Sequence, residues 1–347
     1  MKNTIEKIGV LDENIMTIAR ERQDKLTKPA GSLGILEEVS IKIAGITGNQ
    51  TPRMVDKVIV TMAGDHGITE AGVSAYPSEV TAQMIYNFLN GGAAINVLAR
   101  HVDARVIVVD MGVAVDIAHE NLLDKKIGYG TANMTKGPAM TYEDAIASIK
   151  AGIEVFELEA EKGIDIIAVG DMGIGNTAAS SAIVAAITGE DVEKVTGRGT
   201  GIDDAGLEKK IKAIKEAIKV NKPDKKDAID VLAKVGGFEI AGMTGVMLAA
   251  ASHRIPVVID GFISGAAALI AYEIVPAVSS YMIAAHRSVE RGHPVILDYI
   301  GLKPLLDLNM RLGEGTGAAL GISIVEAACK ILDEMATFEE AGVSEKA

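Results

Sequence analysis

Strand-length runs of aliphatic residues, each closing on an acidic residue and glycine, constrain this chain more than any other feature. Val58–Ala63 leads into Gly64-Asp65-His66-Gly67, and Arg105–Val109 into Asp110-Met111-Gly112. Ile164–Val169 leads into Gly170-Asp171, and Pro256–Ile259 into Asp260-Gly261. The runs do not alternate apolar with polar residues, so each strand buries both of its faces. Helical patterns lie between them. Continuous apolar strands alternating with helices predict an α/β fold with a parallel sheet and helices on both faces. Sheets of this kind bind ligands beyond the carboxyl ends of their strands, where the Asp and Gly residues fall.

Composition narrows the chemistry. Of 347 residues, 48% are hydrophobic but only 3% aromatic, so the core is aliphatic. The 37 glycines against nine prolines suit many tight strand-to-helix turns. A formal net charge of -13 repels nucleic acid and anionic membranes. It also repels a phosphorylated substrate at long range, so any phosphate site must be local: backbone amides with one or two cations. The lone Cys329 has no partner for an intrachain disulfide, and Met1–Glu6 lacks the apolar core of a signal peptide; both favour a cytoplasmic setting. The six histidines form no HxH or HxxxH pair, so no metal site is expected. The apolar stretch Ile255–Ala285 is broken by Pro256, Asp260, Glu273 and Pro276, and reads as strand, helix, strand rather than a membrane span.

Both chain ends read as helical. Glu13–Lys25 and Ile35–Ile46 flank the loop Leu26–Gly34, and Lys303–Leu312 and Ala318–Met335 flank Gly313–Gly317. The expected division is a small helical domain from residues 1–50 and 301–347, with an α/β domain over 51–300 inserted between them.

Several segments carry candidate chemistry. Gly170-Asp171-Met172-Gly173-Ile174-Gly175-Asn176-Thr177 follows a strand and precedes a helix expected over Ala178–Thr188. Such a turn presents backbone amides and a helix dipole to an anion, or is simply a tight turn capped by Asn176 or Thr177. Its glycine order is not that of a dinucleotide fingerprint. Thr196–Gly201 is a second glycine-rich loop, followed by a helix with Lys209 and Lys210; it could close over a phosphate or be a solvated loop. Two such loops in one sheet favour a phosphorylated sugar ligand. The loop Gly72–Pro77, with Ser74 and Tyr76, offers polar groups and one flat aromatic suited to a planar heterocycle, and the helix after it carries Gln83, Met84 and Tyr86. His66 reads as a hydrogen-bonded structural residue ahead of an acid/base group. Glu314, between Gly313 and Gly315 in an apolar region, is either a charged turn or a buried carboxylate made more basic by desolvation.

Taken in order, these segments resemble one family. Thr27–Gly34, Ala63–Gly67, Glu70–Pro77, Glu79–Met84, Gly173–Thr177, Gly199–Leu207, Asp260–Ile263, His286–Glu290, Arg311–Leu320 and Met335–Phe338 all match motifs of the nicotinate-nucleotide–dimethylbenzimidazole phosphoribosyltransferases. The resemblance spans essentially the whole chain. It implies a Rossmann-like domain plus a small helical domain, a homodimer, and no metal or redox cofactor. It implies transfer of phosphoribose from nicotinate mononucleotide to 5,6-dimethylbenzimidazole, giving α-ribazole phosphate and nicotinate with inversion at C1′. By the same resemblance, Glu314 matches the catalytic base. Gly173, Gly175, Asn176, Thr177, Thr200, Gly201, Lys210 and Ser288 match the phosphate and nicotinate contacts. Ser74, Tyr76, Gln83, Met84 and Leu312 match the benzimidazole pocket. Many members carry Glu where this chain has Asp171, one methylene shorter. That leaves open its part as a second carboxylate and the preferred acceptor base, with adenine the alternative.

Two rivals stand beside this reading. A nicotinamide-dinucleotide enzyme needs an acidic ribose contact after a strand, but Glu190 and Asp191 follow a helical pattern. A non-catalytic nucleotide sensor needs no base, yet Glu314 is present.

Overall fold

The structure, a computed structural model, describes residues 1–344. The last three residues of the C-terminal segment expected in the helical domain lie outside the described residues. The apolar runs form one six-stranded sheet: β1 (Lys57–Gly64), β2 (Ala104–Gly112), β3 (Leu122–Asp124), β4 (Ile166–Met172), β5 (Val257–Ile259) and β6 (Met282–Ala284). All neighbours pair parallel, in the order β3-β2-β1-β4-β5-β6. Every residue of β1 is buried, as a strand covered on both faces requires. The strand–helix–strand reading of Ile255–Ala285 holds, with the helix at Phe262–Ile274. No described helix is long and apolar enough to cross a membrane.

Glycine and alanine bring the covering helices close. On one face lies the helix Phe238–Ser252, buried from Phe238 to Ala251, where Gly242 sits over Met62 and Met111. A Cβ on Gly152 of the helix Tyr142–Ala160 would lie 1.9 Å from the Gly242 carbonyl oxygen, so these two helices touch backbone to backbone. On the other face, Gly321 of the helix Thr316–Glu334 packs on Val258 and Ala285. Small side chains thus supply the close packing that aromatics provide in other cores.

The end helices meet each other. Helix Glu13–Lys25 packs on Ile35–Thr47, which packs in turn on Thr316–Glu334. Arg22 donates through Nε to Leu332 O (2.6 Å) and through Nη2 to Asp333 O (3.0 Å), satisfying carbonyls left open at a helix C-terminus. Thr27 N bonds Ala336 O at 3.0 Å. The helices Ile35–Thr47 and Thr316–Glu334 share the core of the sheet, Ile43, Ile46 and Val325 clustering with Ile59, while Ala19, Ala44 and Leu332 form a separate small cluster between the end helices.

One expected helix is absent. Lys303–Leu312 is irregular and extended. Pro304 brings no N–H and disfavours the helical region for Lys303, and Asn309 takes a left-handed φ of 55°. The segment's backbone is used laterally instead. Leu305 N and Leu306 N donate to Ala284 O and Ala285 O (both 3.0 Å), and Arg287 N donates to Leu306 O at 2.8 Å. Leu305 and Leu306 therefore run along the edge of the sheet beyond β6, while Leu308 and Leu312 are exposed.

Candidate active site

Because all the strands are parallel, their carboxyl ends share one edge, and the strand order reverses direction between β1 and β4. A cavity of about 520 Å³ opens at this edge. It is lined by Asp171 at the end of β4 and Gly173 just past it, by residues beyond β5 and β6 (Gly261, Ser288), and by the turn Leu312–Glu314.

Glu314 is the best-anchored residue there. Its backbone N donates to Asp171 O (3.2 Å), and its carbonyl accepts from Thr61 Oγ1 (2.9 Å). Gly315 N and Ala318 N donate to the carboxylate of Asp260 at 3.1 and 2.9 Å. The turn is thus held by β1, β4 and the residue following β5. Thr61 and Gly170 are register partners on β1 and β4, and Gly170 has no Cβ where one would meet Glu314 O at 2.2 Å. Gly313, Glu314 and Gly315 take successive left-handed φ values of 82°, 64° and 95°. A glutamate in that region is costly, of order 1 kcal/mol or more, and the anchors hold it there. The Glu314 residue is 5% exposed. Burial raises its carboxyl above the ordinary 4.5, against the lowering pull of Ile95 N, which donates to Oε2 at 3.3 Å. Glu314 is therefore a buried, more basic carboxylate at the cavity wall rather than a solvated turn residue.

On one side of Glu314 the cavity is polar. The helix after β4 begins at Asn176, two residues earlier than expected, with Gly175 as its N-cap (φ 98°). Neither Asn176 nor Thr177 caps it. Asn176 Nδ2 donates to Asp171 Oδ2 at 2.8 Å, while Thr177 Oγ1 accepts from Lys210 Nζ at 2.7 Å. Lys210, only 1% exposed, also donates to Gly197 O at 3.2 Å. Burial pulls its ammonium down to about 8, with the carboxylate of Glu290 acting in the opposite direction. At this helix start a hydroxyl and a buried ammonium thus stand together, while Asn176 N is taken up by Gly173 O at 3.1 Å.

On the other side the walls are apolar and partly open: Tyr76, Val80, Met84, Ile263 and Leu312. Thr200 Oγ1 ties the two halves, accepting from Ala75 N at 3.1 Å and meeting Ser74 Oγ at 3.2 Å.

The fold therefore brings Glu314, Asp171, Gly173, Asn176, Thr177, Thr200, Ser288, Tyr76, Met84 and Leu312 onto one cavity. Lys210 stands behind it, joined through Thr177. Ser74 lies in an adjoining groove with Tyr76. Gln83 is exposed on the helix Glu79–Leu89 and, like Gly175 and Gly201, is not among the residues lining the cavity.

The acids behind the wall act on one another. Burial, then Asp260 and Glu239, hold the Asp171 carboxyl well above the usual range. Asp260 is pushed up to about 7 by burial against the opposing pull of its backbone donors. His66 Nε2 meets Glu239 Oε1 at 2.7 Å; burial works against its charge, but Glu239 prevails and raises it. This buried pair fits the structural reading of His66. Asp260, Glu290 and Arg311 carried no individual roles in the sequence reading, because their partners lie between 55 and 112 residues away. The motifs Asp260–Ile263, His286–Glu290 and Arg311–Leu320 were the available signal.

A parallel sheet in this order, with a buried carboxylate between a polar pocket and an apolar slot over its switch point, is an α/β protein with a candidate active site at the carboxyl edge of its strands. The model of a phosphoribosyltransferase family matches residues 8–343. The nicotinate-nucleotide–dimethylbenzimidazole phosphoribosyltransferase of Roseiflexus sp. (strain RS-1) is 62% identical over 347 residues, all of this chain and 98% of that protein. The protein of the same name from Desulforudis audaxviator is 59% identical over 99% of this chain and 98% of its own. The crystal structure of the Thermus thermophilus enzyme of that name superposes with a TM-score of 0.92 at 43% identity, covering 97% of this chain and 100% of that one. The chain belongs to the nicotinate-nucleotide–dimethylbenzimidazole phosphoribosyltransferase family and is a transferase.

Proposed function

We propose that the chain transfers the 5-phosphoribosyl group of nicotinate mononucleotide to 5,6-dimethylbenzimidazole, inverting C1′ to the α configuration, with Glu314 as general base. The observation that carries this reading is the buried, desolvated Glu314 carboxylate, fixed between the Thr177–Lys210 anion pocket and the Tyr76–Met84–Leu312 slot. The phosphate would sit at the start of the helix Asn176–Thr188, by the Thr177 hydroxyl with Lys210 behind it, leaving the ribose near the cavity centre. The azole would lie in the apolar slot with its N–H toward Glu314.

In the transfer, one azole nitrogen forms the new bond to C1′. The bond from C1′ to the cationic pyridinium nitrogen breaks, and its electron pair stays with nicotinate. The other azole nitrogen loses its proton to Glu314. Fixing both reactants across one cavity supplies much of the acceleration, and nearby carboxylates favour positive charge developing on the ribose. A desolvated carboxylate takes the proton better than one in water.

The remaining parts of the reading rest on the family resemblance and the packing of the end helices: a small domain from residues 1–50 and 301–347, an α/β domain over 51–300, a homodimer, a cytoplasmic setting, and no cofactor. Asp171 serves as a second carboxylate, on the strength of its place in the cavity wall. The test is product analysis by mass spectrometry with nicotinate mononucleotide and, separately, dimethylbenzimidazole and adenine. An α-ribazole phosphate product that Glu314→Gln lowers about a thousandfold, with the variant still folded, supports the reading. Near-normal turnover by that variant sinks the base assignment, and no nucleotide product with either acceptor sinks the reaction.

A further inference from the structure

Glu290 is a buried glutamate, 5% exposed, that the transfer step does not use. It lies two residues beyond Ser288 and lines the cavity. Its Oε1 accepts the backbone N–H of Gly199 at 3.0 Å. Its Oε2 has no hydrogen-bond partner among the described residues and lies against Gly197, where a Cβ would come within 2.0 Å of it. Lys210 grips the same loop, donating to Gly197 O at 3.2 Å. The loop over residues 197–199 is therefore held between an anion and a cation, each taking the backbone group that matches its charge. Gly197 and Gly199 have no side chain to hold them apart, and at Gly199 a Cβ would lie 2.7 Å from Thr177 Oγ1.

We propose that Glu290 is a positioning residue for the donor's phosphate: it fixes the loop over residues 197–199 through Gly199 N–H and sets a carboxylate across that loop from Lys210, the phosphate's partner. This rests on the phosphate reading of the Thr177–Lys210 pocket. The physical need is plain. An ammonium 1% exposed loses its charge readily unless a carboxylate stands near it, and among the described residues Glu290 is the charged group acting on Lys210. Of the other cations at the loop, Arg198 pairs with Asp204, while Arg311 Nη1 takes a second carbonyl of the loop, donating to Gly199 O at 2.8 Å. Removing Glu290 should therefore cause two separable defects, one of loop geometry and one of charge.

The experiment is the KM for nicotinate mononucleotide against pH, from 6 to 9, for wild type, Glu290→Gln, Glu290→Ala and Lys210→Met. Glutamine keeps an acceptor for Gly199 N–H but carries no charge. Glu290→Gln should stay within about threefold of wild type at the acid end, and its KM should climb from a pH about one unit lower, reaching about fivefold to tenfold above wild type near pH 8. Glu290→Ala, which loses both roles, should be raised about tenfold or more at every pH. In both, kcat should change less than KM. A Glu290→Gln profile that tracks wild type at every pH overturns the charge role. A Glu290→Ala variant that is folded and kinetically normal overturns the loop role. If Lys210→Met leaves KM unchanged, the phosphate pocket itself is wrong. If Lys210→Met raises KM while Glu290→Gln does nothing, only the inference about Glu290 fails.

Discussion

One methyl group at Gly170 tests whether the position of the Glu314 turn sets the rate. In Gly170→Ala the new Cβ would lie 2.2 Å from Glu314 O, 2.3 Å from Glu314 C and 2.4 Å from Gly315 N. A carbon and a carbonyl oxygen settle no closer than about 3.3 Å, so the shortfall is about 1 Å. Every clashing atom is backbone, and no side-chain rotation relieves it. The turn must lift from β4, straining the bonds from Thr61 Oγ1 to Glu314 O (2.9 Å) and from Gly315 N to Asp260 (3.1 Å). Overpacking of this kind costs about 1–3 kcal/mol, and each buried hydrogen bond lost adds about 1 kcal/mol. A base displaced by about 1 Å costs on the order of a hundredfold in rate, or about 2.7 kcal/mol of barrier. The assay is steady-state formation of α-ribazole phosphate beside a thermal melt. The expected result is a kcat about a hundredfold lower, a KM for nicotinate mononucleotide within a few-fold of wild type, and a melting temperature lower by a few degrees. Gly137→Ala, where a Cβ would meet nothing within 4 Å, serves as the unaffected control. A Gly170→Ala enzyme with kcat within about threefold of wild type and an unchanged melt would falsify the claim that this contact positions the base.

Other outcomes follow from the buried titrating groups. A base must be deprotonated, and the Glu314 carboxyl is raised, so the acid limb of kcat/KM should lie above 4.5 and vanish from the residual rate of Glu314→Gln; a limb at or below 4.5 contradicts the assignment. Burial holds His293 neutral, pulling it from 6.5 to about 3, while its Nδ1 accepts Ser288 N at 2.9 Å. Between those values the unfolded chain binds the proton and the folded one does not, so this group's contribution is lost as pH falls from 6.5 toward 3. His293→Asn keeps an acceptor and removes the titration, and urea melts should show its stability falling less steeply below pH 6, by up to about 1 kcal/mol per pH unit. Equal slopes for the two proteins refute the point. Cys329 is 1% exposed and its thiol is pushed up to about 12 by burial, so a thiol reagent should label it only as the chain unfolds; rapid labelling of native enzyme would contradict its burial.

Local pattern was enough for much of this protein. A β-branched run such as Val58–Ala63, apolar on both faces, has no stable home except a sheet covered on both sides. The acid and glycine that close each run mark where the backbone turns into a helix. Pattern alone therefore placed Gly64, Asp171 and Asp260 at one edge. Burial of Glu314, the grip of Glu290 and Lys210 on residues 197–199, and the irregular path of 303–312 were decided only in three dimensions. Each depends on pairing between distant segments: Glu314 O with Thr61 across 253 residues, Glu290 with Gly199 across 91, and Leu305 N with Ala284 O along the sheet edge. Periodicity reports whether a side chain wants water. It does not report which backbone donor or buried charge will stand opposite a carboxylate, and that partner separates a solvated turn from a buried, more basic carboxylate.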